Sequence, residues 1–382
     1  MMGGRRSIVL LSGNPLCNNP RVVKEADALS GAGFEVRVLG QWMSAGIAGR
    51  DISLMAGRDW QYIPVLDLSR GGGTFVRHRA RARLKAGRLL STWLGLNNPW
   101  QLGYSVMELW SAARVMDADL FIAHSEPGLW VAERLGKLGR RVGVDMEDWF
   151  SEDLPPSARS GRGVGLLRSA ERSLLRSAGH RTGPSAAMAR ELAAEFECGL
   201  PVVVYNAFPW SDRLSLDGCI KDRRNAGVPS LHWYSQTIGK GRGLEELFEA
   251  LSFLQSDIEI HLRGHLPGGN DAWLMKSVPE RWRSRLFIHP VVSNRELLSR
   301  IAEHDIGFAG ETTVCRSRDL TVTNKILQYL LAGLAVVASD TSGQREVAAR
   351  APGAVRVYPS GDSRSLALAV DGLLSSRETL GR

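Results

Sequence analysis

With 382 residues, the chain is longer than one hydrophobic core normally serves, so two domains of ordinary size are expected. Its 44% hydrophobic and 23% charged residues are those of a soluble globular protein, and no apolar run reaches the roughly 20 residues of a membrane-spanning helix. The net charge of +8 asks for an acidic partner: a nucleotide, a phospholipid surface or nucleic acid. Nucleic acid ranks last, because the basic residues do not alternate with aromatics in a recognised module. Cys17, Cys198, Cys219 and Cys315 are far apart with no CxxC or Cys/His spacing, which suggests neither a disulfide framework nor a zinc site and points to a reducing cytoplasm.

The first element, Ser7 to Ser12, is a short continuous apolar strand of the kind buried on both faces. Arg5 and Arg6 precede it, but the apolar run is too short for a signal peptide. Gly13-Asn14-Pro15 turns at its carboxyl end, where open α/β sheets bind ligands. A helix capped by Asn19, with Pro20 at its first position, and a strand from Phe34 to Leu39 complete one βαβ unit. The turn lacks the glycine triplet of a dinucleotide fingerprint. From Arg77 to Arg88 there are six cations and no acid: Arg77, Arg79, Arg81, Arg83, Lys85 and Arg88. If helical, Arg77, Arg81, Lys85 and Arg88 share one face, flanked by Leu84, Leu89, Leu90, Trp93 and Leu94. Such a helix either lies on an anionic membrane or is a solvated face, and the run alone leaves both open.

A helix is expected from Trp100 to Met116. The strand Asp119 to Ala123 then delivers His124-Ser125-Glu126, and after a helix from Gly128 to Leu138 the strand Arg141 to Val144 delivers Asp145-Met146-Glu147-Asp148. Polar clusters at the carboxyl ends of consecutive strands mark a site. The alternatives are a satisfied structural histidine and a carboxylate helix cap. A helix from Val164 to Ser177, a strand Arg181 to Pro184, a helix from Ser185 to Glu195 and a strand Pro201 to Tyr205 end this half. Residues 207–229 have little periodicity and read as a linker.

The alternation then restarts. A strand Leu231 to Ser235 leads into Gln236 to Gly243, a glycine-rich turn holding Lys240 and Arg242. After the helix Leu244 to Leu254 come a strand ending at Arg263-Gly264, the strand Leu286 to Val291, the helix Asn294 to Ala302 and the strand Ile306 to Ala309. A helix from Asn324 to Ala332, stopped by Gly333, precedes the strand Ala335 to Ala338. Thr323, Asn324 and Lys325 place N–H groups, an amide and an ammonium at that helix N-terminus, where an anion is favoured. A last strand, Ala354 to Tyr358, and a helix from Ser363 to Leu374 complete the chain. The expected fold is α/β, two tandem Rossmann-like doubly wound parallel-sheet domains, 1–206 and 230–382, facing a central cleft.

Four segments carry a resemblance: NNPRVVKEADALSGAGFEVRVL, GKGRGLEELFEAL, LFIHPVVSNRELLSRIAEHDIGFAG and TNKILQYLLAGLAVVASD. In this order, over nearly the whole length, they are similar to the GT-B glycosyltransferases, most like glycosyltransferase family 4. The resemblance implies a donor domain in the second half and an acceptor domain in the first. It implies that the donor diphosphate meets the glycine-rich turn, where Gln236 stands for the family's Arg and Arg242 for its Lys, with Lys240 beside them. It places Gln328 where many members carry a ribose-binding Glu. The position eight before it is Leu320, so the family's paired glutamates are absent. Gly264, Thr323, Asn324 and Lys325 join the donor set, and Gly13 and Asn14 approach the donor phosphates. His124, Glu126, Asp145 and Glu147 fall where the family works near the reacting sugar.

The resemblance further implies a retaining hexosyl- or related transferase (EC 2.4 class). Such an enzyme moves a sugar from a nucleotide diphosphate sugar to a glycan or lipid-linked acceptor, in the cytoplasm or on the inner membrane face, with no metal or other cofactor. A GT-B-shaped sugar-nucleotide epimerase and a non-catalytic relative are the competing readings.

Overall fold

A computed structural model describes residues 5–69, 71, 73–223, 225 and 227–375. The chain forms two compact units, 1–204 and 205–382.

The first unit is built on β1 (Ser7–Leu11), β2 (Glu35–Trp42), β3 (Gln61–Asp67), β4 (Leu120–Ala123), β5 (Val142–Asp145), β6 (His180–Gly183) and β7 (Val202–Val203). All pair in parallel, in the order β3-β2-β1-β4-β5-β6-β7. Val9, Leu10 and Leu11 are fully buried, as an unbroken apolar run in a central parallel strand requires. Sequence patterning does not identify β3, because Pro64 interrupts it; the strand lies at the sheet edge, where a missing N–H is tolerated. The helix Ala45–Met55 before it is likewise unmarked in the pattern. The single helix expected over 100–116 is in fact a 3-10 turn, Pro99–Leu102, and a helix, Val106–Ala113, separated at Gly103 with φ 136°. The helix following β4 starts at Ser125, three residues before the expected start, since Pro127 is accommodated in a first turn. Its Gly128 presses on β1: a Cβ there would lie 2.1 Å from the Leu11 carbonyl oxygen.

The second unit holds β8 (Ser230–Thr237), β9 (Glu259–His265), β10 (Leu286–His289), β11 (Ile306–Ala309), β12 (Ala335–Ser339) and β13 (Val355–Tyr358). They too are parallel, in the order β10-β9-β8-β11-β12-β13. Trp233, Phe248, Ile260, Leu262, Phe308, Val337 and Tyr358 share one core between sheet and helices. The stretch 207–229, patternless in sequence, lies with this unit. The Asp217 carboxylate is 2.5 Å from Arg300, Asp222 pairs with Arg263, and the Lys221 and Asp222 N–H groups donate to Glu303 at 2.8 and 2.7 Å. Polar side chains, which leave no hydrophobic period, hold it down together with Phe208 and Leu216, which pack against the core. Arg224 and Ala226 within it lie outside the described residues.

Candidate functional site

In each sheet the strand order reverses once, between β1 and β4 and between β8 and β11. At such a switch point neighbouring loops diverge to opposite faces and leave a crevice at the strands' carboxyl ends, the usual ligand position of open α/β sheets. In the second unit this crevice lies beside the glycine-rich turn. Gly241 and Gly243 have φ of 73° and 79°, and a Cβ on Gly243 would be 2.8 Å from the Gly310 carbonyl, so the turns after β8 and β11 touch backbone to backbone. Gln236, Lys240 and Arg242 are exposed here, with an Arg242 Nη donating to Ser235 Oγ at 3.0 Å. Arg318, which no sequence motif singles out, reaches the turn from beyond β11 and donates to the Gly241 carbonyl at 3.1 Å.

The helix Asn324–Ala332 opens towards the same end of the sheet. Thr323 precedes it without a capping hydrogen bond, and the Thr323 and Thr312 hydroxyls are buried without partners. Lys325 Nζ is 2.7 Å from Glu311 Oε1, and Glu311 is itself held by a 2.9 Å bond from its N–H to Ser339 Oγ. The lysine expected to face an anion therefore already has one. Gln328 is buried and its carbonyl oxygen accepts the Tyr234 hydroxyl, while Leu320, eight residues earlier, packs inside. Gly264 takes its place in the donor set only as packing: a Cβ there would sit 2.7 Å from the Ser235 carbonyl.

The first unit's switch point is assembled differently. Gly13, at φ 63°, has its carbonyl bonded by Ser105 Oγ at 3.0 Å, and a Cβ on it would meet Pro127 at 2.7 Å. Asn14 comes next, its carbonyl accepting Tyr62 OH at 3.3 Å. His124 is 0% exposed. Its Nε2 is 2.6 Å from Glu25 Oε2 and its Nδ1 3.4 Å from Asp145 Oδ2, contacts of charge with charge whose angles are poor for hydrogen bonds. Asp145 is gripped by Arg21 through Nε at 2.5 Å and Nη2 at 2.6 Å, and accepts Thr182 Oγ1 at 2.5 Å. Glu147 accepts both of its bonds from Asn19 Nδ2, at 3.0 and 2.8 Å.

Burial works against a charge on His124, but Glu25, then Asp145 and Glu147, outweigh it and raise the imidazole to about 9. Burial likewise pushes Glu147 up. So three of the four side chains expected near a reacting sugar do converge, yet His124 and Asp145 face inward into an ion-pair network with Arg21 and Glu25, with no surface left for a substrate. Glu126 is not among them; it pairs with Arg162. Ligand atoms of Glu25, His124 and Asp145 lie within 4.8 Å of one another, a spacing that can hold a metal ion, but the Arg21 guanidinium already supplies the positive charge at Asp145. Arg21 and Glu25, which the sequence does not single out, stand four apart on the helix Pro20–Gly31, a one-face spacing that marks their half of the network.

Known structures match the chain over nearly its full length. Anabaena HepE bound to UDP-glucose matches with a TM-score of 0.64 at 15% identity, over 98% of this chain and 91% of that one. Sucrose-phosphate synthase from Thermosynechococcus elongatus gives 0.66 at 14%, over 99% and 92%. A Listeria monocytogenes protein ascribed to the UDP-N-acetylglucosamine 2-epimerases gives 0.57 at 12%, over 99% and 90%. At these identities the likeness is one of fold. No curated protein matches the chain in sequence. Residues 19–206, however, match the family model of the glycosyl transferase 4-like domain. The first half of the chain carries a glycosyl transferase 4-like domain, and the chain as a whole has the GT-B fold.

In this GT-B protein the basic stretch is a helix, Thr74–Leu94, and its cations are not equivalent. Arg79 and Arg83 are spent on Glu108, at 3.2 and 2.6 Å. Arg77 bonds back to Thr74 Oγ1 at 3.2 Å. Arg81, Lys85 and Arg88 stay exposed and, with Leu84, Leu89 and Tyr104, line a cavity of about 300 Å³. Phe75 and Trp93 are 76% and 79% exposed and stand five turns apart at about 3.6 residues per turn, hence on one azimuth. Leu89, 47% exposed, lies between them and the cations. No described helix is long and apolar enough to cross a membrane.

Proposed function

We propose that this protein is a glycosyltransferase that moves a sugar from a nucleotide diphosphate sugar to a glycan or lipid-linked acceptor at the cytoplasmic membrane face, as in cell-surface polysaccharide synthesis, with retention of configuration and without a metal. The observation that carries the donor half is the meeting of two cation-bearing loops over the β8/β11 switch point. Departure of a nucleoside diphosphate builds negative charge on the leaving oxygens, and fixed positive groups set in place beforehand lower that barrier. Lys240 and Arg242 supply such charge, and the N-terminus of the Asn324–Ala332 helix adds its dipole. Gln328, oriented by Tyr234, is suited to a ribose hydroxyl. The UDP-glucose held by Anabaena HepE supports the donor class.

On the acceptor side, the exposed stripe of Phe75, Leu89 and Trp93 beside Arg81, Lys85 and Arg88 supports a seat on an anionic lipid surface. Gly13 and Asn14 contribute from the first unit's switch point. The His124 network acts by holding the loops after β4 and β5 in place. The test is incubation with labelled UDP-, GDP- and ADP-sugars, with and without membrane lipids and EDTA. Nucleoside diphosphate release that grows with lipid and survives EDTA supports the proposal. Free epimerised donor would favour the fold shared with the Listeria protein as a guide to activity, and binding without turnover would leave a sugar-nucleotide-binding protein.

A further inference from the structure

The positive charge at the glycine-rich turn comes from two segments, and only one is visible as a motif. Arg242 belongs to the turn. Arg318 belongs to the short helix Arg316–Leu320 beyond β11, 77 positions away from Gly241, whose carbonyl it contacts. Its segment is fixed independently of that contact. Asp319 accepts the Ser342 N–H at 3.0 Å and its hydroxyl at 2.8 Å, and Gly343 packs so closely that a Cβ would lie 2.3 Å from the Thr321 carbonyl.

Each arginine is anchored by one bond, Arg242 to Ser235 Oγ and Arg318 to Gly241 O. A guanidinium has five donors, so each keeps most of its donors free. Neither pairs with a carboxylate among the described residues. Of the acids close by, Glu311 is taken by Lys325, Asp319 by Ser342, and Glu245 by the Gly241 N–H at 2.8 Å. Two exposed, unpaired guanidinium groups brought to one turn repel each other unless an anion lies between them. Planar guanidinium groups match phosphate oxygens in pairs.

Resting on the donor-site reading above, we infer that Arg318 is a second ligand of the donor's diphosphate, closing on it from the β11 side while Arg242 holds it from the β8 side. Lys325, neutralised by Glu311, orders the helix start and is not the principal phosphate contact.

Titration calorimetry on the full chain with UDP, GDP and ADP, and with the matching monophosphates, tests this. For the base the wild type prefers, Arg318→Ala should weaken the diphosphate by about ten- to a hundredfold, the usual loss of a charged hydrogen-bonding pair. It should leave the monophosphate nearly unchanged. Arg318→Lys should restore part of the loss. If Arg318 only staples its segment to the turn, mono- and diphosphate fall together, and the inference is wrong. It is equally wrong if the diphosphate binds Arg318→Ala as it binds the wild type. Unliganded unfolding is measured alongside, and if Arg318→Ala misfolds, Arg318→Gln removes the charge and keeps a polar group at Gly241. A wild type that binds none of the three diphosphates would refute the donor site itself, and the clamp with it.

Discussion

Lys325 shows what single residues could and could not disclose. Its place at a helix N-terminus was legible, because Asn324 to Ala332 is periodic and Gly333 ends it. Its partner was not, because Glu311 meets it only through the path of the chain after β11. Removing the lysine leaves the Glu311 carboxylate unpaired beside the proposed phosphate position. Lys325→Ala should therefore weaken nucleoside diphosphate binding by about tenfold, and adding Glu311→Gln should recover most of it, since the harm comes from an uncompensated acid. Calorimetry on the single and double variants checks this. A double variant as weak as the single one would return Lys325 to the role of direct phosphate ligand. His124 teaches the same lesson: strand-end position was readable, but whether the ring faced solvent or Glu25 depended on a helix 100 residues earlier.

At the scale of elements, what the sequence shows well is hydrophobic period, and what it hides is anything held by polar contacts or bent by one residue. The terminal helix Ser363–Leu374 and the central strands stand out for the first reason. β3 with its Pro64, the break at Gly103, and the polar strap 207–229 are obscured for the second. The helix Thr74–Leu94 combines both, since its basic run was plain but the diversion of Arg79 and Arg83 to Glu108 was not. The proposed membrane seat thus narrows to Arg81, Lys85, Arg88 and the apolar stripe beside them. Sedimentation with anionic phospholipid vesicles should fall at least tenfold in an Arg81→Glu, Lys85→Glu, Arg88→Glu triple variant, with each basic residue near the surface worth about 1 kcal/mol. Trp93→Ser should fall likewise. Equal binding of the triple variant and the wild type would assign the run to solubility alone.

Over the whole molecule, the two units should respond to pH in opposite senses. In the first, His124 is raised to about 9 from an ordinary imidazole value, so its contribution is complete below about 6.5 and is lost as pH climbs through 9, on the order of 3 kcal/mol at most. Burial would raise its partner Glu25, but His124 and His180 hold it low, so Glu25 matters only in acid. The second unit buries His232, His261 and His304, with His289 at the edge, in ring contacts, two stacked and one tilted, whose centroids are 4.5 to 5.2 Å apart.

Burial, then the neighbouring imidazoles and Arg223 and Arg263, lower these four, His261 to about 3. Glu259 and Asp222 face the group at 3.2 and 3.4 Å without reversing that. Unfolded histidines take up protons below about 6.5 and these do not, so the second unit loses stability as pH falls. Urea unfolding at about pH 5, 7 and 9, with limited proteolysis to tell which unit opens, should show the second unit weakest in acid and the first weakest in alkali. Both units weakening in the same direction would contradict the two charge assignments.

The claim on which the rest depends is that a sugar leaves a nucleotide and joins an acceptor. The direct measurement is where the label goes when the full chain is given a sugar-labelled nucleotide diphosphate donor together with membrane lipids and glycans. Label should become bound covalently to a lipid or glycan, in step with nucleoside diphosphate release, and Arg242→Ala should abolish it. Label recovered only in intact or epimerised donor, or transfer undiminished by Arg242→Ala, would contradict that claim.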